Sequence, residues 1–336
     1  MQTRKYFGGI AALVMSSALL AACGSGASSA KTSSKTTVLP AKSALSSKTV
    51  DFIIYATPST PFFVPVVNGA EAAAKLYGVH LHVEYSNSNT VTQNNQIQTA
   101  IASHVAGLAL SIPSNTGFTK SLKDAHSAGI PVVAFNVNAT SGPELSYELG
   151  FVGQNFVQAG YLIAERMIQK HEISHGAHVF CPVEDATAVY AVGRAAGANK
   201  ALKSIGASCH IVQTGFTLSK AQTIVEQYLL GHRNTSAILA LGEVPLQVAP
   251  SAVKTVGKSI PISGFDLSSQ ISKAIKAGQI NATVEQQPYE QGYYAVTELA
   301  LNLKYGLVPT SNYNTGNDIV EKSNVDKVAA LAGKVY

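Results

Sequence analysis

Two groupings of residues in this chain could do chemistry, and they point to different kinds of protein. His171-Glu172-Ile173-Ser174-His175 has the spacing that, on a continuing helix, sets two imidazoles on one face as zinc ligands. The glutamate between them would then face a metal-bound water. The second grouping is dispersed: Phe62-Phe63 follow a Pro-bracketed turn, while Asn136, Gly242-Glu243, Asp266 and Gln286 stand at the ends of short β-branched or apolar runs. Aromatic faces suit the C–H surface of a sugar ring, while amides and carboxylates bridge hydroxyls.

The surroundings separate the two. Gly176 and a new strand pattern follow His175 at once, so the preceding helix should stop near His171 and leave the histidines on a helix end and a loop. A zinc enzyme using His171 and His175 is therefore only the alternative that stoichiometric metal would reveal. Val256-Gly257-Lys258-Ser259 looks like the end of a phosphate loop, but Ala252 stands where that pattern has its first glycine and a strand follows instead of a helix. Neither Gly-x-Gly-x-x-Gly nor Gly-x-Ser-x-Gly occurs. No cofactor, no metal and no catalytic residue is expected, and the protein is read as a binder.

The dispersed set needs a scaffold that brings strand ends together. From Thr49 onward, short β-branched runs alternate with helical patterns, which argues for parallel sheets covered by helices. Strands are expected over 50–56, 79–85, 107–112, 131–137 and 149–153, with a helix that follows Phe62-Phe63 and runs to Tyr77 and others over 91–104 and 118–128. A second cycle follows, with strands over 178–182, 209–213 and 237–241 and helices over 157–169, 189–204, 220–230 and 245–256. Ser219 with Gln222 would cap the helix at 220. The fold class is α/β, as two doubly wound lobes, and ligands of such sheets collect outside the carboxyl ends of the strands.

Length and composition agree. A chain of 336 residues with 46% hydrophobic and 13% charged residues can bury two cores. Its net charge of +5 falls once Arg4 and Lys5 leave with a leader, and beyond residue 22 the arginines are Arg166, Arg194 and Arg233. Without a basic stripe, nucleic acid is not an expected partner.

The first residues address the chain. A basic start, an apolar run over 7–22 and Leu20-Ala21-Ala22-Cys23 read as a signal peptide over 1–22, with Cys23 the site of lipidation. The Ser/Ala/Lys/Thr-rich stretch over 23–48 reads as a flexible tether. Only Cys181 and Cys209 then remain to pair, and an extracytoplasmic compartment would permit it. Cys181 should end one strand and Cys209 begin the next, so parallel neighbours would set them at opposite ends, which argues against a bridge.

Several motifs together are similar to one family. Leu20-Ala21-Ala22-Cys23, Thr60-Pro61-Phe62-Phe63, Gly129-Ile130-Pro131-Val132-Val133, Val152-Gly153-Gln154-Asn155, Gly264-Phe265-Asp266 and the run from Gln286 to Tyr293 resemble the solute-binding lipoproteins of bacterial ABC transporters for simple sugars. That branch contains the ribose- and galactose-binding proteins, and the resemblance covers about residues 48–322.

The resemblance implies a type I periplasmic binding fold with a three-crossover hinge near Gln154-Asn155, residues 286–288 and residues 313–316. The lobes would comprise 49–154 with 288–314, and 155–287 with 315–322, leaving 323–336 as a C-terminal tail. Phe62 and Phe63 would pack on the sugar ring and Asn136, Asp266 and Gln286 would bond its hydroxyls, with Glu243, Gln154 and Tyr190 as further ligand contacts. Asn136-Val137 stands where the ribose-type pattern has Asp-Arg, Val192 where a second arginine is expected, and Gly242-Glu243 where Asn-Asp is frequent. Loss of both arginines implies a neutral sugar or polyol. The implied partners are an ABC permease with its ATPase and the membrane reached through the lipid, the protein itself being a monomer. A receptor subunit for chemotaxis or a sensor kinase is the alternative output of the same clamp.

Overall fold

The computed structural model describes residues 45–336. Residues 1–44, on which the expected signal peptide, the expected lipidation site Cys23 and most of the expected tether fall, lie outside the described residues.

The first lobe begins with β1 (Thr49–Ile54), α1 (Phe63–Tyr77), β2 (His80–Tyr85), α2 (Thr90–Ala102), β3 (Gly107–Leu110), α3 (Thr119–Ser127), β4 (Val132–Asn136) and β5 (Gly150–Gly153). The second contains α4 (Phe156–Gln169), β6 (His178–Val183), α5 (Val189–Leu202), β7 (Ser208–Gln213), α6 (Leu218–Gly231), β8 (Thr235–Ala240), α7 (Glu243–Thr255), β9 (Ile262–Phe265), α8 (Ser269–Lys276) and β10 (Ala282–Glu285). The chain then returns as α9 (Pro288–Tyr305), which packs along α1, before β11 (Tyr313–Asn314) and β12 (Asp318–Glu321).

Each lobe carries a six-stranded sheet. The first has the order β11-β5-β4-β3-β1-β2 and is parallel throughout; the second has the order β12-β10-β9-β8-β6-β7, with only β12 antiparallel. Central strands such as β3, Gly-Leu-Ala-Leu, are buried on both faces, whereas the edge strands β2, His-Leu-His-Val-Glu-Tyr, and β7, Ser-Cys-His-Ile-Val-Gln, are largely outside the core. The two α/β lobes read from the sequence are found.

Three local expectations are corrected. Cys181 and Cys209 form a disulfide, with Cα atoms 5.6 Å apart. Strand β6 starts at His178, so Cys181 sits inside it, and the register places Cys209 beside Val179, two residues away. Ser219 caps nothing: α6 starts at Leu218, and Gln222 bonds Glu226 instead. Helix α7 starts at Glu243, two residues before the expected position, so this carboxylate occupies its first turn.

Residues 322–336 are packed rather than loose. Val325 and Ala332 are buried in the second lobe's core, while the carbonyls of Lys334 and Val335 accept from Asn68 Nδ2 and Tyr289 N–H, each at 3.2 Å.

Candidate functional site

The carboxyl ends of β1, β4, β6, β8, β9 and β10 converge on one cavity between the lobes. Tyr55, Phe62, Phe63, Phe156, Tyr190 and Phe216 supply its aromatic surface. Phe63 stands edge-on to Tyr55 at 5.7 Å and to Phe62 at 5.2 Å, and Tyr55 reaches the second lobe's Phe216 at 6.3 Å. The lobes also meet through backbone: the Val189 N–H at the start of α5 donates to the Pro113 carbonyl at 3.0 Å. Ala188, the residue preceding α5, has no side chain to make that cap.

Among the residues that line the cavity, Arg194 is the one guanidinium. It is 2% exposed, rising from α5 with its Cζ 4.2 Å from the Phe265 ring centroid. Nη1 donates to the Leu241 carbonyl at 2.7 Å, Nη2 donates to Gln154 Oε1 at 3.0 Å, and Nη2 lies 3.6 Å from Asp266 Oδ1. The expectation that both arginines are lost is therefore corrected. Val192 points outward, 54% exposed, and the arginine comes two residues later. The sequence contained the signal: Tyr190 and Arg194 are four residues apart on one helix and must share a face.

Three carboxylates line the same cavity. Asp266 follows β9 with φ 74° and accepts from Gln286 Nε2. Glu184 follows β6; its Oε1 accepts from the Val244 N–H at 2.9 Å and its Oε2 from the Tyr190 hydroxyl at 3.1 Å. A Cβ on Gly242 would lie 2.0 Å from Glu184 Oε2, which explains why glycine stands there: the carboxylate fills the space a side chain would need. Glu243, 4% exposed, is pushed up to about 8 by burial and by the nearby Asp266 and Glu184 carboxylates. Burial likewise raises Glu184 and Asp266, against the lowering pull of Arg194.

Phe62, Phe63, Asn136, Tyr190, Glu243, Asp266 and Gln286 all line the cavity. Gln154 does not: its amide is spent on Arg194 and on the Gly316 carbonyl, 3.3 Å from Nε2. Arg194, Glu184, Tyr55, Phe156 and Phe216 were missed by sequence reasoning. Two buried side-chain atoms of the lining residues have no partner in the protein, the donor Arg194 Nε and the acceptor Glu243 Oε2. Such atoms are costly to leave unpaired.

His171 and His175 do not form a metal pair on a helix, because α4 ends at Gln169 and His171 takes φ 56°. At the far end of the first sheet, Asp51, His82 and Glu84 bring three potential ligand atoms within 4.8 Å of one another. His82 Nδ1 lies 3.3 Å from Asp51 Oδ1, within hydrogen-bond distance, and 3.5 Å from Glu84 Oε1.

The sequence matches the periplasmic binding protein domain over residues 50–306. It is 29% identical to the xylose/arabinose-binding protein of Sulfolobus acidocaldarius over 82% of this chain and 71% of that protein. It is 26% identical to the ribose import binding protein of Bacillus subtilis over 74% of this chain and 80% of that protein. Among solved structures, a carbohydrate transporter from Acidothermus cellulolyticus in complex with myo-inositol superposes with a TM-score of 0.79 at 29% identity, covering 85% of this chain and 99% of the other.

Proposed function

The chain belongs to the periplasmic binding protein domain family, and on that footing we propose that it captures a neutral sugar or related polyhydroxy solute between its lobes and delivers it to an ABC permease. The observation that carries this reading is the interlobe cavity itself, where an aromatic surface lies beside Asn136, Arg194, Asp266 and Gln286. Phe62, Phe63 and Tyr55 cover the C–H faces of the solute, while Asn136, Asp266 and Gln286 bond its hydroxyls. Neutrality now rests on different ground than the loss of arginines: the lone guanidinium lies 3.6 Å from the Asp266 carboxylate, so its charge is already countered and the cavity offers no free cation to an anionic solute. The names of the relatives and the myo-inositol of the solved neighbour support the same solute class.

Closure is a hinge motion about the three crossovers, with residues 49–154 and 288–314 moving against 155–287 and 315–322. Solute that contacts both lobes shifts the population toward the closed form. Lipidation of Cys23 holds the monomer at the extracytoplasmic face of the cell membrane, and the permease acts with an ATPase partner.

A thermal-shift series with D-ribose, D-xylose, D-arabinose, myo-inositol and the anionic D-glucuronate tests the reading. A solute that binds only the native state raises its melting temperature. At least one neutral member should do so while glucuronate does not; stabilisation by glucuronate alone would overturn it.

A further inference from the structure

Gln154 and Gln291 are 2% and 0% exposed, neither lines the cavity, and each joins a hinge crossover to a cavity side chain. Gln154 leaves the first crossover. Its Oε1 accepts from Arg194 Nη2 at 3.0 Å and its Nε2 donates to the carbonyl of Gly316, in the third crossover, at 3.3 Å. Gln291 lies in the first turn of α9, just past the second crossover. Its Oε1 accepts from Asn136 Nδ2 at 3.0 Å, and its Nε2 reaches Gln286 Oε1 at 3.0 Å and Thr315 Oγ1, again in the third crossover, at 3.2 Å.

The arrangement repeats between the lobes. In each case the amide oxygen holds a cavity residue and the amide nitrogen holds residue 315 or 316. Gln291 does more, because its grip on Gln286 Oε1 turns Gln286 Nε2 toward Asp266. Asn136 cannot turn freely: its backbone has φ 61°, and with Nδ2 held by Gln291 its Oδ1 is the end left for the cavity. The third crossover, which contributes nothing to the cavity lining, is thus bonded to the residues that orient Arg194 in one lobe and Asn136 in the other.

We infer that Gln154 and Gln291 are positioning residues that couple hinge angle to the orientation of Arg194 and Asn136, so that solute contact and lobe closure are one equilibrium. This rests on the reading that solute binds in the cleft. A hinge that loses either link leaves the binding-competent form less populated, and apparent affinity falls by that fraction.

Isosteric variants separate the two ends of each link. Gln154→Glu keeps an oxygen for Arg194 and removes the donor to Gly316; Thr315→Val removes the hydroxyl that Gln291 holds, without adding charge. Binding is measured by calorimetry, and closure by an interlobe spin-label distance, with the tightest binder among D-ribose, D-xylose, D-arabinose and myo-inositol. Each variant is expected to weaken binding about threefold to tenfold and to raise the open fraction at subsaturating solute. Asn136→Gly, which tolerates the left-handed backbone, should weaken binding by itself and should be non-additive with Thr315→Val, because both act through Gln291. Wild-type affinity and closure in Gln154→Glu and Thr315→Val, or fully additive effects of Thr315→Val and Asn136→Gly, would overturn the coupling. If no member of the series binds the wild-type protein, the cleft reading fails and the coupling fails with it.

Discussion

Arg194 and Asp266 set the polarity of the cavity, and each is held by a partner that is not solute. Asp266 sits at φ 74°, a conformation that asparagine also tolerates, so Asp266→Asn alters charge without straining the backbone. This variant should weaken solute binding by at least about tenfold in calorimetry while far-UV circular dichroism stays unchanged. Glu243 titrates with a consequence for stability. Its folded value of about 8 lies above the ordinary 4.5, so the folded form holds the proton more tightly than the unfolded chain. The stabilisation is complete below about pH 4.5 and is lost as pH rises through about 8. The charged groups that act on it are Asp266 and Glu184, while the Phe62 backbone and the Ser268 side chain hydrogen-bond to it and pull the other way. Between about pH 5 and about pH 9 the solute-free protein should lose melting temperature, and Glu243→Gln should flatten part of that slope. Equal slopes would remove Glu243 from the linkage. Residue types and strand ends were legible here, and so were the seven cavity residues that the sequence singled out. Arg194 was missed because a two-residue offset on a helix exchanges an exposed position for a buried one.

At the scale of elements, one helix pair in each lobe crosses at glycines. In α1 and α9, a Cβ on Gly69 would lie 2.0 Å from the Tyr289 carbonyl oxygen, and one on Gly292 would lie 1.9 Å from that of Val66. In α4 and α5, a Cβ on Gly160 would lie 2.0 Å from the carbonyl oxygen of Arg194 itself, and one on Gly197 would lie 1.9 Å from that of Val157. Backbone, not a flexible side chain, blocks the added methyl, so the helices must separate. Gly160→Ala should cost about 1–3 kcal/mol in urea unfolding and also weaken solute binding, since it displaces the turn that carries Arg194. Gly292→Ala should cost a similar amount of stability while leaving Arg194 in place. The alternation of strands and helices was legible from β-branched runs and helical periodicity. The glycine crossings were not, because a glycine inside a helix looks the same whether it faces solvent or another backbone. The disulfide was misread for a similar reason: pairing of Cys181 with Cys209 depends on register between strands, which neither strand's own sequence contains.

At the scale of the molecule, three crossovers join two sheets, and one apolar cluster runs from Phe52 and Phe135 in the first lobe through Phe156 and Tyr190 to Val179 and Leu239 in the second. Cross-cleft contacts such as Val189 to Pro113 and Tyr55 to Phe216 belong to lobes that are shut against each other. Two-lobe architecture was legible because the strand–helix cycle repeats, whereas the packing of residues 322–336 against both lobes was hidden in an irregular segment. Small-angle scattering of the purified protein, without solute and titrated with the neutral sugar or polyol that stabilises it most, tests capture between the lobes most directly. The radius of gyration should fall and saturate at one equivalent of solute; scattering unchanged at a concentration where calorimetry shows full occupancy would contradict it.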